Sequence, residues 1–233
     1  MCFTKKKLLF ALLLFFSPLL TLAQSPLLRW EPDLSYSWKP ADRWSFNTSA
    51  GGRNTWFSQQ ENGPEGNYAW EHVEIRLFAT YSLFGDNRVG GGYQFRWRDP
   101  LESDEFGYEH RTQQQFAFIS YTGTRRLSHR IRSEQRIRGI GFIQRFRYRL
   151  SYEFPLTGDQ IDPGEKYLVL SNEVVYSISD APPEIDNRLY LGLGWFFNRQ
   201  RQLETGLQFR VEAYNTETPE PIFHLNTTYF LSR

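Results

Sequence analysis

Apolar and polar side chains alternate along this chain with a period of two, over stretches of roughly twelve to seventeen residues. In the clearest stretch one parity carries Val73, Ile75, Leu77, Ala79, Tyr81 and Leu83, and the other carries His72, Glu74, Arg76, Phe78, Thr80 and Ser82. Successive side chains of a β-strand point to opposite faces. The pattern therefore predicts strands with one apolar and one mainly polar face, and we expect an all-β fold.

Eleven segments of the chain have this strand-like character. They lie near residues 33–39, 43–52, 68–84, 87–98, 108–121, 125–138, 140–154, 165–179, 187–198, 201–214 and 220–232. Residues 167–178 depart from clean alternation, because both parities are apolar there. No linker rich in Pro, Gly and Ser divides the chain, so a single domain is expected.

The length of these segments favours a membrane-spanning barrel over a soluble one. Strands of a β-sandwich or a lipocalin-like barrel usually have about five or six residues. A strand of about fifteen residues, tilted near 40°, rises roughly 38 Å and crosses an apolar band of ~25 Å. Aromatic residues make up 17% of the chain, and Trp and Tyr at strand ends are typical of membrane interfaces. The sequence predicts a transmembrane antiparallel up-and-down β-barrel of about 10–12 strands.

The N-terminus has the features of a cleaved secretory signal peptide. Three lysines precede an apolar run, and a small-residue cleavage site ends at Ala23. We expect residues 1–23 to be removed and residues 24–233 to form a barrel in the outer membrane. Cys2 would leave with the signal peptide, so the mature chain would contain no cysteine. The expected partners are outer-membrane lipid, periplasmic chaperones and the barrel-assembly machinery, and no oligomeric state is indicated.

Loop lengths predict which strand ends share a side, since outer-membrane barrels keep short turns in the periplasm and longer loops outside. Long connections at 53–67, 99–107, 179–187 and 214–221 fall at one end, and short ones at 40–42, 84–88, 122–125 and 198–201 fall at the other, with 155–165 as a long exception.

Eleven strands conflict with the even count expected when both chain ends are periplasmic. Either residues 33–39 are too short to cross, which gives ten strands, or a turn at 50–54 splits the second segment, which gives twelve.

Charged side chains concentrate on the polar parity of the predicted strands. They are Arg130, Arg132, Glu134, Arg136, Arg138, Arg145, Arg147, Arg149, Glu153, Glu173, Glu74, Arg76, Arg96, Arg98, Glu204, Arg210 and Glu212. A charge facing lipid at mid-depth costs roughly 2–4 kcal/mol, so this face must line the lumen. We hypothesise a non-catalytic structural barrel filled by salt bridges, in which Glu173, Glu74, Glu204 and Glu212 neutralise the arginines of segments 125–138 and 140–154. The alternative is a small anion-preferring passive channel.

Few residues suggest catalysis or metal binding. The four histidines, His72, His110, His129 and His224, show no metal-ligand spacing. A lipid-modifying enzyme, the second alternative, would need a serine within hydrogen-bond reach of a histidine, but the adjacent Ser128 and His129 would face opposite ways. Glu102, Asp104 and Glu105 are candidate calcium ligands, although a solvated acidic loop is favoured. We therefore expect no enzyme activity, no metal and no cofactor. The balanced charge gives no sign of nucleic-acid binding.

Several sequence blocks resemble a known family. They are HRIRSEQRIR at 129–138, RFRYRL at 145–150, LVLSNEV at 168–174, NRLYLGLGW at 187–195 and Arg43-Trp44-Ser45. Together they resemble the domain-of-unknown-function family numbered 2490, and the resemblance covers nearly all of the chain after the signal peptide. It implies a Gram-negative outer-membrane barrel with no assigned activity, substrate or partner, and it supplies no catalytic residues.

Overall fold

The alternating segments form strands in the computed structural model, which describes residues 27–57, 69–98, 107–122, 125–139, 141–216 and 218–233. The strands of these residues are β1 (Leu27–Ala41), β2 (Trp44–Phe57), β3 (Ala69–Ser82), β4 (Arg88–Arg98), β5 (Gly107–Thr122), β6 (Arg125–Arg138), β7 (Gly141–Pro155), β8 (Lys166–Ile178), β9 (Glu184–Asn198), β10 (Arg201–Glu212) and β11 (Glu220–Ser232). The predicted all-β fold class is confirmed. The described residues contain no helix that is long and apolar enough to cross a membrane. The predicted signal peptide, residues 1–23, lies outside the described residues.

The strands close into one barrel in which each strand pairs with its neighbours in the chain. All of these sequential pairs are antiparallel. β1 and β11 close the barrel as a parallel pair, which we call the seam, with Leu28 opposite Phe223 and Tyr36 opposite Leu231. The prediction of a wholly antiparallel barrel is therefore wrong at the seam. The reason is the odd count, because the first and last of eleven alternating strands run in the same direction.

Neither the ten-strand nor the twelve-strand alternative is correct. β1 begins at Leu27, ahead of the predicted segment, and has 15 residues, so it is as long as its neighbours. β2 runs unbroken through residues 50–54, where the sequence allowed a turn. A side chain at Gly51 would collide with the Pro32 carbonyl oxygen and the Asp33 carboxylate of β1. This glycine therefore makes room for the neighbouring strand and does not turn the chain.

The connections alternate between the two ends of the barrel, because sequential strands are antiparallel. Residues 58–68, 99–106, 139–140, 179–183 and 213–219 connect strands at what we call the long-connection end. Residues 42–43, 83–87, 123–124, 156–165 and 199–200 connect them at the short-turn end. This grouping agrees with the one predicted from loop lengths, including the long exception after β7. Leu27 lies at the long-connection end and Ser232 at the short-turn end.

The barrel is apolar on its outer face and charged inside. On the outer face Ile75 is 56% exposed and Leu207 is 57% exposed, whereas Glu109, Glu134 and Glu173 are buried in the lumen. Aromatic side chains form outward-facing bands toward both ends, with Trp30, Trp56, Phe95 and Tyr108 in one band and Trp38, Trp44, Tyr81, Tyr152 and Phe154 in the other. The interior of the described barrel is therefore mainly polar, with a small apolar cluster on one side.

Candidate functional site: the charged lumen

The charged residues that the sequence assigned to the lumen all lie on the inward-facing parity of their strands. β6 carries Arg130, Arg132, Glu134, Arg136 and Arg138, β7 carries Arg145, Arg147, Arg149 and Glu153, β8 carries Glu173, β3 carries Glu74 and Arg76, β4 carries Arg96 and Arg98, and β10 carries Glu204, Arg210 and Glu212. The strand register places Arg130, Arg149, Glu173, Arg188 and Arg210 in one row across β6 to β10. Four arginines thus share a row with a single carboxylate.

Glu173 is the centre of an ion-pair network on this wall. Its carboxylate lies 2.5 Å from Arg147 Nη2 and 2.9 Å from Arg149 Nε. It also lies 3.0 Å from Arg130 Nη2 and 3.6 Å from Arg188 Nη1. The Glu173 side chain is only 2% exposed. One buried carboxylate therefore neutralises guanidinium groups from three strands.

Two further buried carboxylates extend the network toward the long-connection end. Glu134 lies 2.6 Å from Arg136 Nε and 3.1 Å from Arg147 Nη1, so Arg147 joins Glu134 to the group around Glu173. Glu109 of β5 lies 2.6 Å from Arg138 Nε. The wall formed by β5 to β9 is therefore filled by alternating guanidinium and carboxylate groups. We call it the filled wall.

Next to the filled wall, Glu74 and Arg76 of β3 pair with near neighbours. Glu74 lies 2.5 Å from Arg96 Nη2 and 3.7 Å from Arg76 Nε. Arg76 also forms an ion pair with Asp33 of β1. Glu74 therefore neutralises arginines of β3 and β4. The prediction that it pairs with the arginines of β6 and β7 is wrong.

Glu31 joins the two sides of the seam from within the lumen. Its carboxylate lies 2.8 Å from Arg210 Nη2 of β10 and 2.6 Å from Arg53 Nη2 of β2. His224 of β11 places its Nδ1 atom 3.2 Å from the same carboxylate. One carboxylate of β1 thus contacts side chains from three other strands at the closure of the barrel.

Glu204 lies among tyrosines and not among arginines. It accepts hydrogen bonds from Tyr190 Oη at 2.7 Å and from Tyr167 Oη at 3.5 Å. These rings belong to a buried cluster of Tyr167, Val169 and Tyr190, with Ile161 and Phe196 packed against it, which we call the tyrosine cluster. A side chain at Gly194 would overlap the Tyr167 ring, so the glycine makes room for it. Since Ile161 belongs to the connection 156–165, this connection folds back over part of the short-turn end.

The remaining predicted carboxylates also lie apart from the β6 and β7 arginines. Glu153 lines a small cavity of about 350 Å³ together with Glu204. Glu212 lines the main cavity near the long-connection end. The predicted role of Glu204 and Glu212 as counter-charges for those arginines is therefore wrong, because parity determines the face on which a side chain lies but not its height in the barrel.

A main cavity of about 850 Å³ lies in the lumen beside the filled wall. Of the described residues, fourteen arginines and seven carboxylates line it. Glu109, Glu134 and Glu173 are not among the lining residues, because the arginines that bind them lie between them and the open space. A solute in the cavity would therefore meet a surface rich in guanidinium groups.

Arg132 contributes a charge that no carboxylate pairs directly. Its Nη2 atom donates a hydrogen bond to Gln115 Oε1 at 2.7 Å. Its guanidinium carbon lies 5.5 Å from the centre of the Phe78 ring, a cation–π distance. Among the described residues no carboxylate lies within ion-pair distance of it, so Arg132 adds a positive charge to the lining of the main cavity.

A family model described as "Protein of unknown function (DUF2490)" matches residues 32–219. The chain belongs to this family. The match begins within β1 and ends just before β11, so it covers most of the barrel. The resemblance drawn from the sequence blocks is thereby confirmed. No curated protein matches the chain, and no solved structure matches it.

Several lumen residues of this DUF2490 member were not predicted from the sequence. Arg111 of β5 pairs with the buried Glu109, and Asp186 of β9 lies 2.6 Å from Arg145 Nη2. The signal for the first pair was present, because Glu109 and Arg111 have the same parity as Gln113, whose side chain faces the lumen. Reading the alternation back from Gln113 would have included them.

On the outer face of the DUF2490 barrel, His129 contacts two hydroxyl groups. Its Nε2 atom lies 2.7 Å from Ser120 Oγ, and its Nδ1 atom lies 2.8 Å from Tyr148 Oη. The imidazole stacks on the Phe118 ring, with the ring centres 4.5 Å apart. Cross-strand pairing thus provides a serine–histidine contact that the sequence did not locate. As expected from parity, this serine is not Ser128.

The described part of the DUF2490 chain contains no group of three or more His, Cys, Asp or Glu side chains that could hold a metal ion. The candidate calcium ligands Glu102, Asp104 and Glu105 lie outside the described residues. The lumen is therefore the main candidate site in the described residues.

Proposed function

We propose that this protein is a non-catalytic outer-membrane barrel whose lumen admits small anions. The excess of arginine over carboxylate around the main cavity carries the proposal. Charged side chains that ring a pore select ions by sign, and arginine rings favour anions. The filled wall holds these guanidinium groups in place, while the main cavity provides the space for a solute. The salt-bridged filling and the anion path were alternative hypotheses from the sequence, and we propose that one lumen contains both.

The composition of the outer face supports the placement in a membrane. Between the two aromatic bands, the outward-facing side chains of the described strands carry no carboxylate, lysine or arginine. Exposed apolar side chains such as Ile75, Leu191 and Leu207 occupy this region instead. Soluble monomers rarely expose contiguous apolar surface of this extent, whereas lipid hydrocarbon solvates it favourably.

Cysteine labelling tests the membrane placement. We expect single cysteines in place of Val73, Ile75, Tyr148, Leu150, Leu207 or Phe209 to react with lipophilic maleimides and poorly with water-soluble ones, because these side chains face outward. A cysteine in place of Glu212, which lines the main cavity, serves as the control and should react with water-soluble maleimides. Efficient aqueous labelling at most of the outward positions would contradict the proposal.

Ion selectivity in planar bilayers tests the anion path. Under a KCl gradient we expect the purified barrel to give a small conductance with a reversal potential displaced toward the chloride equilibrium potential. The conductance should be small because the tyrosine cluster and Ile161 narrow one side of the lumen. A reversal potential on the potassium side would contradict the proposal. If the barrel gives no conductance, the anion path is contradicted and the structural barrel hypothesised from the sequence remains.

A lipid-modifying enzyme is the second candidate, and the contact between Ser120 and His129 is the observation that favours it. A serine hydroxyl within hydrogen-bond reach of an imidazole is the arrangement of an activated nucleophile. A polar imidazole on an apolar face also needs hydrogen bonds for its own sake, and Ser120 and Tyr148 supply them. We favour this structural interpretation of the cluster.

Release of fatty acid from phospholipid micelles separates the two interpretations of Ser120. We expect no release above that of heat-denatured protein, and no change in the variant Ser120→Ala. Ser128→Ala, which removes a hydroxyl on the lumen side, is the matched control. Release by the wild type that disappears in Ser120→Ala and persists in Ser128→Ala would establish the enzyme instead.

A further inference from the structure

Five neutral polar side chains interrupt the apolar outer face on β5, β6 and β7. They are Thr112, Gln114, Ser133, Gln135 and Gln144, and we call them the amide patch. The register places Thr112 opposite Gln135, Gln114 opposite Ser133, and Gln135 opposite Gln144. The five side chains are therefore contiguous on the barrel surface.

Gln135 links the members of the amide patch. Its carbonyl oxygen accepts hydrogen bonds from Thr112 Oγ1 at 2.7 Å and from Gln114 Nε2 at 3.1 Å. Its amide nitrogen donates to Gln114 Oε1 at 3.2 Å and to Gln144 Oε1 at 3.2 Å. Gln114, which is exposed, uses one amide hydrogen and one lone pair in its two hydrogen bonds with Gln135. It can therefore donate one more hydrogen bond and accept another.

Apolar and aromatic side chains surround most of the amide patch, and His110 lies next to Thr112 on β5, with its Nδ1 atom 2.5 Å from Tyr93 Oη. Tyr93 of β4 lies opposite Thr112, and Phe146 of β7 lies opposite Ser133. Ile131 and Ile137 precede and follow the patch on β6, and both are half exposed. In hydrocarbon the remaining donor and acceptor of Gln114 would have no partner, which is unfavourable, and polar groups at such depth commonly have a function.

We propose that a second copy of this chain docks on the amide patch, with the two copies related by a twofold axis. An amide both donates and accepts, so two identical patches complement each other when a twofold axis brings them face to face. Small polar side chains that hydrogen-bond between protein segments promote association within membranes. The proposal rests on the proposed membrane placement, because it is lipid that makes the exposed amide unfavourable.

The chemistry of the patch favours a copy of the same chain over a charged occupant. The five side chains carry no formal charge, so they offer a phosphate head group or a charged peptide no counter-charge. Gln114 is the exposed amide at which two copies would meet, and the apolar side chains of Phe116 and Ile131 beside it are exposed as well. A contact centred on Gln114 would therefore bury the Gln114 amides of the two copies against each other, surrounded by these apolar side chains.

Cysteine cross-linking in isolated outer membranes tests this contact. The predicted mature chain has no cysteine, so the single variant Phe116→Cys, at an exposed position beside Gln114, carries one reactive group and keeps the amides of the patch. We expect a short bismaleimide to convert it to a covalent dimer. Leu207→Cys, an equally outward-facing position on β10, is the matched control and should stay monomeric.

A second pair of variants asks whether the amides drive association. In the Phe116→Cys background, the double change Gln114→Leu and Gln135→Leu should lower the cross-linked fraction at least fivefold. Leu207→Gln in the same background should leave that fraction unchanged. Both variants should fold, since their side chains lie on the outer face, and the gel mobility of unheated samples verifies this.

Three results would overturn the proposal. They are a monomeric Phe116→Cys protein, equal dimer yields at positions 116 and 207, and cross-linking of position 116 to a different protein. Labelling of Leu207→Cys by a water-soluble maleimide in the same samples would contradict the membrane placement alone. The absence of a dimer is thus detected by cross-linking beside Gln114, whereas failure of the membrane placement is detected by aqueous labelling at position 207.

Discussion

The variant Glu173→Gln should unfold at a clearly lower temperature than the wild type in heat-modifiability assays, in which folded and unfolded barrels migrate differently in SDS gels. Glu173 is buried and contacts Arg130, Arg147, Arg149 and Arg188. Glutamine has nearly the same volume, but it leaves Arg130 and Arg149 without an ion-pair partner, whereas Arg147 keeps Glu134 and Arg188 keeps Asp186. Removal of one partner from a buried ion pair typically costs about 3–5 kcal/mol, so the loss should be large.

Two further variants show whether charge causes the loss. Glu184→Gln makes the same change on the lumen side of β9 at an exposed position, and surface substitutions usually change stability by less than about 0.5 kcal/mol. Adding Arg149→Gln to Glu173→Gln removes one of the unpaired cations and should recover part of the stability. A Glu173→Gln barrel as stable as the wild type would show that the network around this carboxylate is not needed for folding.

The variant Arg132→Glu should reduce the preference for anions over cations by roughly thirtyfold. The change alters the lumen by two unit charges. At about 8 Å from a permeating ion in water, each charge contributes roughly 0.5 kcal/mol, so the change disfavours an anion by about 1 kcal/mol and favours a cation by about 1 kcal/mol. Arg132 is suited to this test because its contacts are with Gln115 and Phe78 and not with a carboxylate. The measurement is the reversal potential under a KCl gradient.

A charge reversal outside the lumen is the matched control for this prediction. Arg199→Glu makes the same change in the exposed turn between β9 and β10 and should leave the reversal potential nearly unchanged. The effect of Arg132→Glu should grow as ionic strength falls, because salt screens charges over about 10 Å at 0.1 M. Equal shifts for the two variants would mean that ions do not pass close to Arg132.

The alternation of side chains was sufficient to predict the fold class, the long strands and the face on which each charge lies. Parity alone placed Arg147 and Glu173 in the lumen, and both are there. The same reasoning explains the one ambiguous stretch, residues 167–178. There Tyr167, Val169 and Val175 face inward, so both faces of β8 carry apolar side chains.

Which acid meets which arginine could not be predicted, because partners across a barrel depend on register and shear, which a single strand does not encode. Glu204 has the right parity to pair with an arginine, yet its height in the barrel places it beside Tyr167 and Tyr190. The parallel seam was missed for a related reason. The direction in which β1 and β11 meet depends on the total count of strands, and no local pattern contains that number.

The odd count also determines where the two ends of the barrel domain lie. Leu27 begins β1 at the long-connection end, and Ser232 ends β11 at the short-turn end. A barrel with an even number of strands returns both ends to one compartment, whereas an eleven-stranded barrel in a membrane would separate them. A peptide tag fused ahead of Leu27 and another fused after Arg233 would then be accessible from opposite sides of the bilayer.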